Sequence, residues 1–341
     1  MKNMKSAVLI FSFLFLSFYA EEKLFEVPKG WPQPVYDFSG NPLTKNKIEL
    51  GRALFYDPVL SANGIVSCAS CHSPFSAFTH NDHALSHGIH DSIGTRNSPP
   101  LMNLAWQKLF MWDGAVNNLD VQPLAPISHP AEMGSSIKEI VEKLNASPFY
   151  RGLFYTAFHD SIVTGEHTLK AISQFLLTLV SANSKYDKFM RGELIFSDQE
   201  SNGYKLFLTN CAACHTEPLF TSFEFANNGL PVDSFLHDTG RMKVTQNAKD
   251  SLKFKIPTLR NIEYTYPYMH DGRFKRLSDV LKHYTSGIVH SSTLSEKLEK
   301  PVVLSSNEKV DLIAFLLTLS DSAFVFNKEF QYPKELFFPS K

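Results

Sequence analysis

The sequence predicts a mainly α-helical protein built from two similar modules in tandem. Three observations carry that expectation. Apolar residues recur at helical spacing in several segments, some behind capping residues. A set of short motifs occurs twice in the same order. All four cysteines fall into two copies of one pattern, Cys-x-x-Cys-His. The length agrees, since 341 residues suffice for about two domains. A composition of 43% hydrophobic and 20% charged residues is that of an ordinary globular protein. The net charge of −1, with no long charge run, argues against a nucleic-acid binder.

Taken in order, the chain begins with Lys2 and Lys5, an apolar run from Ala7 to Tyr19, and then Ala20-Glu21-Glu22. Residues 1–20 read as a secretory signal peptide, so export to the periplasm is expected. Phe18 stands where a small residue is preferred, and the alternative is an uncleaved anchor, although the run is short for a membrane span. Ser136 to Leu144 predicts a short amphipathic helix. Glu166 to Val180 and Glu308 to Leu319 predict core helices. Ser197-Asp-Gln-Glu200 is a capping box that opens a helix running into Phe207. Long stretches rich in Pro and Asn separate these helices.

The repeat is explicit. Gly51-Arg-Ala-Leu-Phe55 matches Gly203-Tyr-Lys-Leu-Phe207, and Pro99-Pro-Leu-Met-Asn103 matches Pro257-Thr-Leu-Arg-Asn261. Met111-Trp-Asp-Gly114 matches Met269-His-Asp-Gly272, and Leu119 matches Leu277. From Asn103 to Leu277 these pairings share an offset of 158 residues. Phe175-Leu-Leu-Thr-Leu179 then matches Phe315-Leu-Leu-Thr-Leu319. The first module is expected over residues 21–190 and the second over 191–325, with a tail at 326–341.

Cys68, Cys71 and His72 form the first Cys-x-x-Cys-His, and Cys211, Cys214 and His215 the second. This is the attachment pattern of a c-type haem. Thiols at i and i+3 share one face of a helical turn and bond the two vinyl groups, while the adjacent imidazole meets the iron. A redox dithiol does not need the histidine. A zinc site would have to join distant segments. Two disulfides are the remaining alternative in an exported chain. Two copies that use every cysteine favour two covalently bound haems c. The expected fold is therefore two cytochrome c-like domains with one haem each.

Differences between the modules bear on function, because the group opposite the proximal histidine separates electron transfer from chemistry. At the 158-residue offset, Tyr284 corresponds to Pro126. A phenolate ligates iron and a proline does not, so the second haem would be closed and the first open to peroxide. Met269, His270 and His283 are rival ligands, and a core tyrosine is the bland alternative. Gln122 and Glu132 flank Pro126. A carboxylate there can move a proton between peroxide oxygens, and an amide can orient peroxide. Without further support a solvated surface role is the ordinary reading of such a glutamate. His80, His83, His87 and His90 follow the first attachment site. Most should be loop residues, with one a candidate reversible ligand.

The motifs LSANGIVSCASCH, RNSPPLMNLAW, MWDG, LDVQPLAPI, AEMG, CAACH, DTGR, PTLRNI and PYMHDGRF, in this order, resemble the bacterial di-haem cytochrome c peroxidases and their MauG relatives, over roughly residues 45 to 320. The resemblance implies that Glu132 is the catalytic carboxylate, Gln122 its distal neighbour, and Trp112 an electron relay between the haems. It implies an inter-haem calcium site using Asn97, Thr265 and Pro267. Two departures matter. Ile89 stands where the peroxidases carry a histidine that closes the first haem until activation, with His87 and His90 out of register. Tyr284 stands where those peroxidases have Met and MauG has Tyr. The resemblance therefore implies a peroxidase that takes electrons from a small c-type cytochrome. The alternatives are a MauG-like enzyme oxidising aromatic residues of a partner protein, and a non-enzymatic electron carrier. A homodimer is common in the family, but the sequence carries no interface signature.

Overall fold

The computed structural model describes residues 23–338. The expected signal peptide at 1–20 lies outside the described residues. Helices dominate: α1 (Lys45–Tyr56), α2 (Cys68–Cys71), α3 (Leu124–Ser128), α4 (Ile137–Ala146), α5 (Pro148–Phe158) and α6 (Gly165–Thr178), then α7 (Lys185–Met190), α8 (Asp198–Asn210), α9 (Met242–Thr245), α10 (Leu277–Lys282) and α11 (Ser306–Leu317), and finally α12 (Ser322–Val325) and α13 (Lys334–Phe337). The one sheet among the described residues pairs β1 (Phe225–Ala226) with β2 (Phe254–Lys255) antiparallel, Phe225 opposite Lys255 and Ala226 opposite Phe254. No helix among the described residues is long and apolar enough to cross a membrane.

Local sequence explains the helix boundaries. Ser136, Ser197 and Ser305 each close a capping box with the Glu three residues on, which satisfies free N–H groups of the first turn. Helices α6 and α11 stop at Thr178 and Leu317, two residues before the expected ends. A competing bond explains both stops. The Leu179 and Leu319 carbonyls accept from the backbone N–H of Asn103 (2.8 Å) and Asn261 (3.0 Å). The side-chain oxygens of the same two asparagines accept from the N–H of Ser181 (2.9 Å) and Asp321 (2.8 Å).

The repeat thus survives as matched geometry. Gly51 lets α1 cross α6, and Gly203 lets α8 cross α11. A Cβ at either glycine would lie 1.9 Å from a carbonyl oxygen, of Ala171 or Asp311 respectively. Phe175 and Phe315 are fully buried at these crossings. One core gathers Leu50, Phe55, Phe78, Phe154 and Phe175, and a second gathers Tyr186, Phe207, Phe220 and Phe315.

Two segments cross the expected module limits. Tyr186, on α7, packs in the second core, while Phe324 and Val325 pack in the first. The tail then lies back on the first half. Tyr56 Oη donates to the Phe330 carbonyl (2.5 Å), and Arg52 Nε to that of Gln331 (2.8 Å).

Ion pairs lie along the seam between the halves, and the Arg96–Asp238 pair crosses it. Arg96 donates to Asp113 (2.6 Å) and to Asp238 (2.6 Å). Arg260, completely buried, grips Asp187 with both terminal nitrogens (2.9 and 2.8 Å) and lies over the ring of Trp31. Such a fork matches a carboxylate in plane and leaves few donors unpaired.

Candidate haem and peroxide site

Both Cys-x-x-Cys-His segments adopt the same turn. The N–H of His72 donates to the Cys68 carbonyl (3.0 Å), and that of His215 to the Cys211 carbonyl (2.9 Å). The first forms the short helix α2, and the second follows directly on the end of α8. Each imidazole is anchored through Nδ1. His72 Nδ1 donates to the Phe78 carbonyl (2.8 Å), and His215 Nδ1 lies within reach of the carbonyls of Pro257 (3.1 Å) and Phe220 (3.2 Å). This fixes the tautomer that leaves Nε2 free to bind a metal. Burial pushes both imidazoles down to about 4, which holds them neutral and ligand-competent. None of the four cysteines is paired in a disulfide.

A cavity enclosing about 1630 Å³ of empty space, including the part open to solvent, adjoins the second attachment turn. Cys211, Cys214, His215 and Tyr284 line it with Leu281 and Leu316. Two thiols, a neutral imidazole with a free Nε2 and an apolar wall are the donor set and cradle of a haem c. Tyr284 sits in a π-helical turn (His283–Gly287) that continues α10. Such wide turns are rare and recur at functional sites. Burial pushes its phenol up to about 12, which Asn228 counters by hydrogen bonding. A tyrosine held neutral by burial becomes an anionic ligand when a metal replaces its proton. The rival ligands take different places. Met269 and His270 also line the cavity, but Met269 Sδ is approached by Asn228 Nδ2 (3.5 Å) and the His270 ring stacks on Phe254 (3.7 Å). His283 Nε2 donates to the Asn228 carbonyl (3.0 Å).

The first site is built differently. The Cys71 thiol donates to the His87 carbonyl (3.5 Å). Burial and the nearby Glu132 carboxylate push that thiol up to about 11, so Glu132 lies within electrostatic reach of the attachment turn. Burial raises the Glu132 carboxyl above its ordinary value, and His129, 3.9 Å away, partly opposes this. Ile89 is buried against the same loop. Its N–H donates to the Glu132 carbonyl (2.8 Å), and its Cδ1 fills the space beside Gly134. Gln122 Nε2 donates to Met111 Sδ (3.6 Å). The equivalent methionine, Met269, receives Asn228 in the same way. His80, His83 and His87 form a row of ring contacts beside this site, with His83 and His87 stacked at 4.3 Å, whereas His90 is exposed.

Trp112 belongs to the first half yet lines the second cavity, with its indole N–H donating to the Asn97 carbonyl (2.8 Å). Asn97, Thr265 and Pro267 line this cavity as well, and the Asn97 side-chain N–H group donates to the Ala84 carbonyl (2.9 Å). Among the described residues, no cluster of three or more His, Cys, Asp or Glu could hold a metal ion. Sequence reasoning missed Asn228 and Lys255 at the cavity wall. The repeat offset held a signal for Lys255, because it pairs that residue with Asn97.

Comparison with known proteins agrees with this geometry. A family model for di-haem cytochrome c peroxidases matches residues 45–195. The methylamine utilization protein MauG of Methylorubrum extorquens is 38% identical over 307 residues, covering 86% of this chain and 83% of that one. The cytochrome c551 peroxidase of Nitrosomonas europaea is 37% identical, covering 82% and 81%. The crystal structure of a MauG-like protein associated with microbial copper homeostasis superposes with a TM-score of 0.82 at 32% identity, covering 91% and 99%. The chain belongs to the di-haem cytochrome c peroxidase family.

Proposed function

We propose that this protein is a di-haem peroxidase that reduces hydrogen peroxide to water with electrons from a small c-type cytochrome or similar donor. One observation carries the reading. Tyr284 shares a cavity with Cys211, Cys214 and His215, while its counterpart in the first half is Pro126, near Glu132. One site is thus supplied with a closing ligand and the other with a proton-transfer group. Cys68, Cys71 and His72 would hold the first haem, and Cys211, Cys214, His215 and Tyr284 the second. When bound, the haems supply iron for peroxide binding and for passage of the two electrons that the reaction consumes.

The chain's own residues manage protons and position. Glu132, as carboxylate, takes a proton from one peroxide oxygen and returns it to the other, so that this oxygen leaves as water. The balance is one peroxide, two electrons and two protons to two waters. Gln122 offers an amide N–H to orient peroxide. Ile89 cannot ligate iron, which leaves the first site open without prior reduction. Trp112, in the wall of the second cavity, is the connection between the sites. Asn97, Thr265 and Pro267 offer neutral oxygens of the kind that calcium takes, and such an ion would brace the seam. Export to the periplasm is part of the proposal, as is a homodimer.

Mixing the diferric protein with stoichiometric peroxide, then with reduced cytochrome c, tests the reading. Rapid spectral change followed by fast cytochrome c oxidation is expected. No change until the protein is half reduced would mean that a histidine closes the first site. A second reading is favoured by Tyr284 and by the 38% identity to MauG: oxidation of aromatic residues on a partner protein. Its mark would be a long-lived oxidised protein that barely consumes cytochrome c.

A further inference from the structure

The two halves exchange one backbone bond in each direction at the seam. The N–H of Asn97 donates to the His270 carbonyl (2.7 Å), and the N–H of Lys255 to the Trp112 carbonyl (2.7 Å). Asn97 and Lys255 are equivalent at the 158-residue offset, and so are Trp112 and His270. All four line the second cavity. The crossing is symmetric in backbone and asymmetric in charge, because Asn97 is neutral where Lys255 carries an ammonium.

That ammonium has neutral partners. Nζ donates to Gln107 Oε1 (2.6 Å) and to the Leu109 carbonyl (3.0 Å). The neighbouring charges are engaged elsewhere. The Asp113 carboxylate is paired with Arg96, and Arg241 donates to the Asp113 carbonyl (2.9 Å). Burial holds His270 neutral, with its value pushed down to about 4. His215, also facing the cavity, is neutral for the reason already given, and so is Tyr284 until a metal replaces its proton. A cation in a desolvated wall with no ion pair of its own acts over a longer range than it would in water. It favours whichever form of a neighbouring redox group holds the extra electron.

We propose that Lys255 tunes the redox poise of the second site, as a fixed positive charge offsetting the electron donation of a Tyr284 phenolate and raising the reduction potential. Gln107 is the residue that positions it. This rests on the reading that the second cavity holds a haem. Burial pushes the Lys255 ammonium down to about 8, with Asp113 opposing, so the charge is present at neutral pH and lost in mild alkali.

The test is a spectroelectrochemical titration of the holoprotein from about pH 6.5 to about pH 9.5, spanning the lowered lysine value but not the ordinary one of about 10.4. In the parent, the potential of the second haem should fall as pH rises through about 8. Lys255→Met should lie lower at neutral pH and lack that step. Lys255→Arg should keep the neutral-pH potential and also lack the step, because arginine does not titrate there. Gln107→Leu removes an acceptor without touching the charge and should move the step to lower pH, which keeps the test open if Lys255→Met does not fold. Equal potentials in the parent and Lys255→Met, or a step that persists in Lys255→Arg, would overturn the proposal. Absence of a second haem, read by haem stoichiometry on the same sample, would instead remove the underlying functional reading.

Discussion

Gly51 and Gly203 do the same work in the two halves, whereas Pro126 and Tyr284 do not. The glycines let one helix lie against another, and any side chain would strike a carbonyl 1.9 Å away. Asn103 and Asn261 likewise make the same pair of bonds. The scaffold is therefore duplicated where it needs backbone proximity. It diverges at Pro126 against Tyr284 and, around the second cavity, at Trp112 against His270 and Asn97 against Lys255. On the proposed reading, the two frames are similar and a few differences between them separate a chemical site from a storage site.

That division can be broken on purpose. The largest effect is expected from Glu132→Gln, which should lower peroxide turnover by about 10²–10⁴-fold at unchanged haem content. Near-parental turnover would remove Glu132 from the mechanism. Next comes Arg260→Met, which gives the second half the residue that the first half carries at Met102. It strands the Asp187 carboxylate and should cost about 3–5 kcal/mol, read by denaturant unfolding. Adding Asp187→Leu should recover much of the loss. Gly51→Ala and Gly203→Ala should each cost about 1–3 kcal/mol. The two values should be similar, and a large difference would show that the halves are less equivalent than their backbones.

The smallest effect concerns pH. Glu132 must be ionised to accept a proton, and burial raises its carboxyl. Activity should therefore be full above that raised value and be lost as pH falls through it, in a limb above the ordinary glutamate value of about 4.3. His129 lowers the Glu132 value, so His129→Ala should move the limb further up. A limb that stays put would separate Glu132 from the titration.

Much of this was legible in the sequence because it was written twice. The repeat exposed the matched motifs that lie on α1 and α8 and on α6 and α11, the pairing of Asn103 with Asn261 and the Tyr284–Pro126 contrast, and the Cys-x-x-Cys-His motifs exposed both attachment turns. Helix α5 was not read. Its sequence, Pro148-Phe-Tyr-Arg-Gly-Leu-Phe-Tyr-Thr-Ala-Phe158, is apolar and aromatic on several faces, so no clean stripe marks it, although Ser147 caps it. The return of the tail onto Arg52 and Tyr56 uses backbone carbonyls, which leave no trace in residue pattern. The setting of the Lys255 ammonium leaves no local pattern either, because it depends on Gln107 and Leu109, nearly 150 positions away.

Low-temperature electron paramagnetic resonance of the diferric protein, with and without Tyr284→Phe, tests the central asymmetry most directly. The account predicts one high-spin and one low-spin iron in the parent, with the low-spin signal lost in Tyr284→Phe. Two low-spin irons in the parent, or a low-spin signal untouched by Tyr284→Phe, would contradict it.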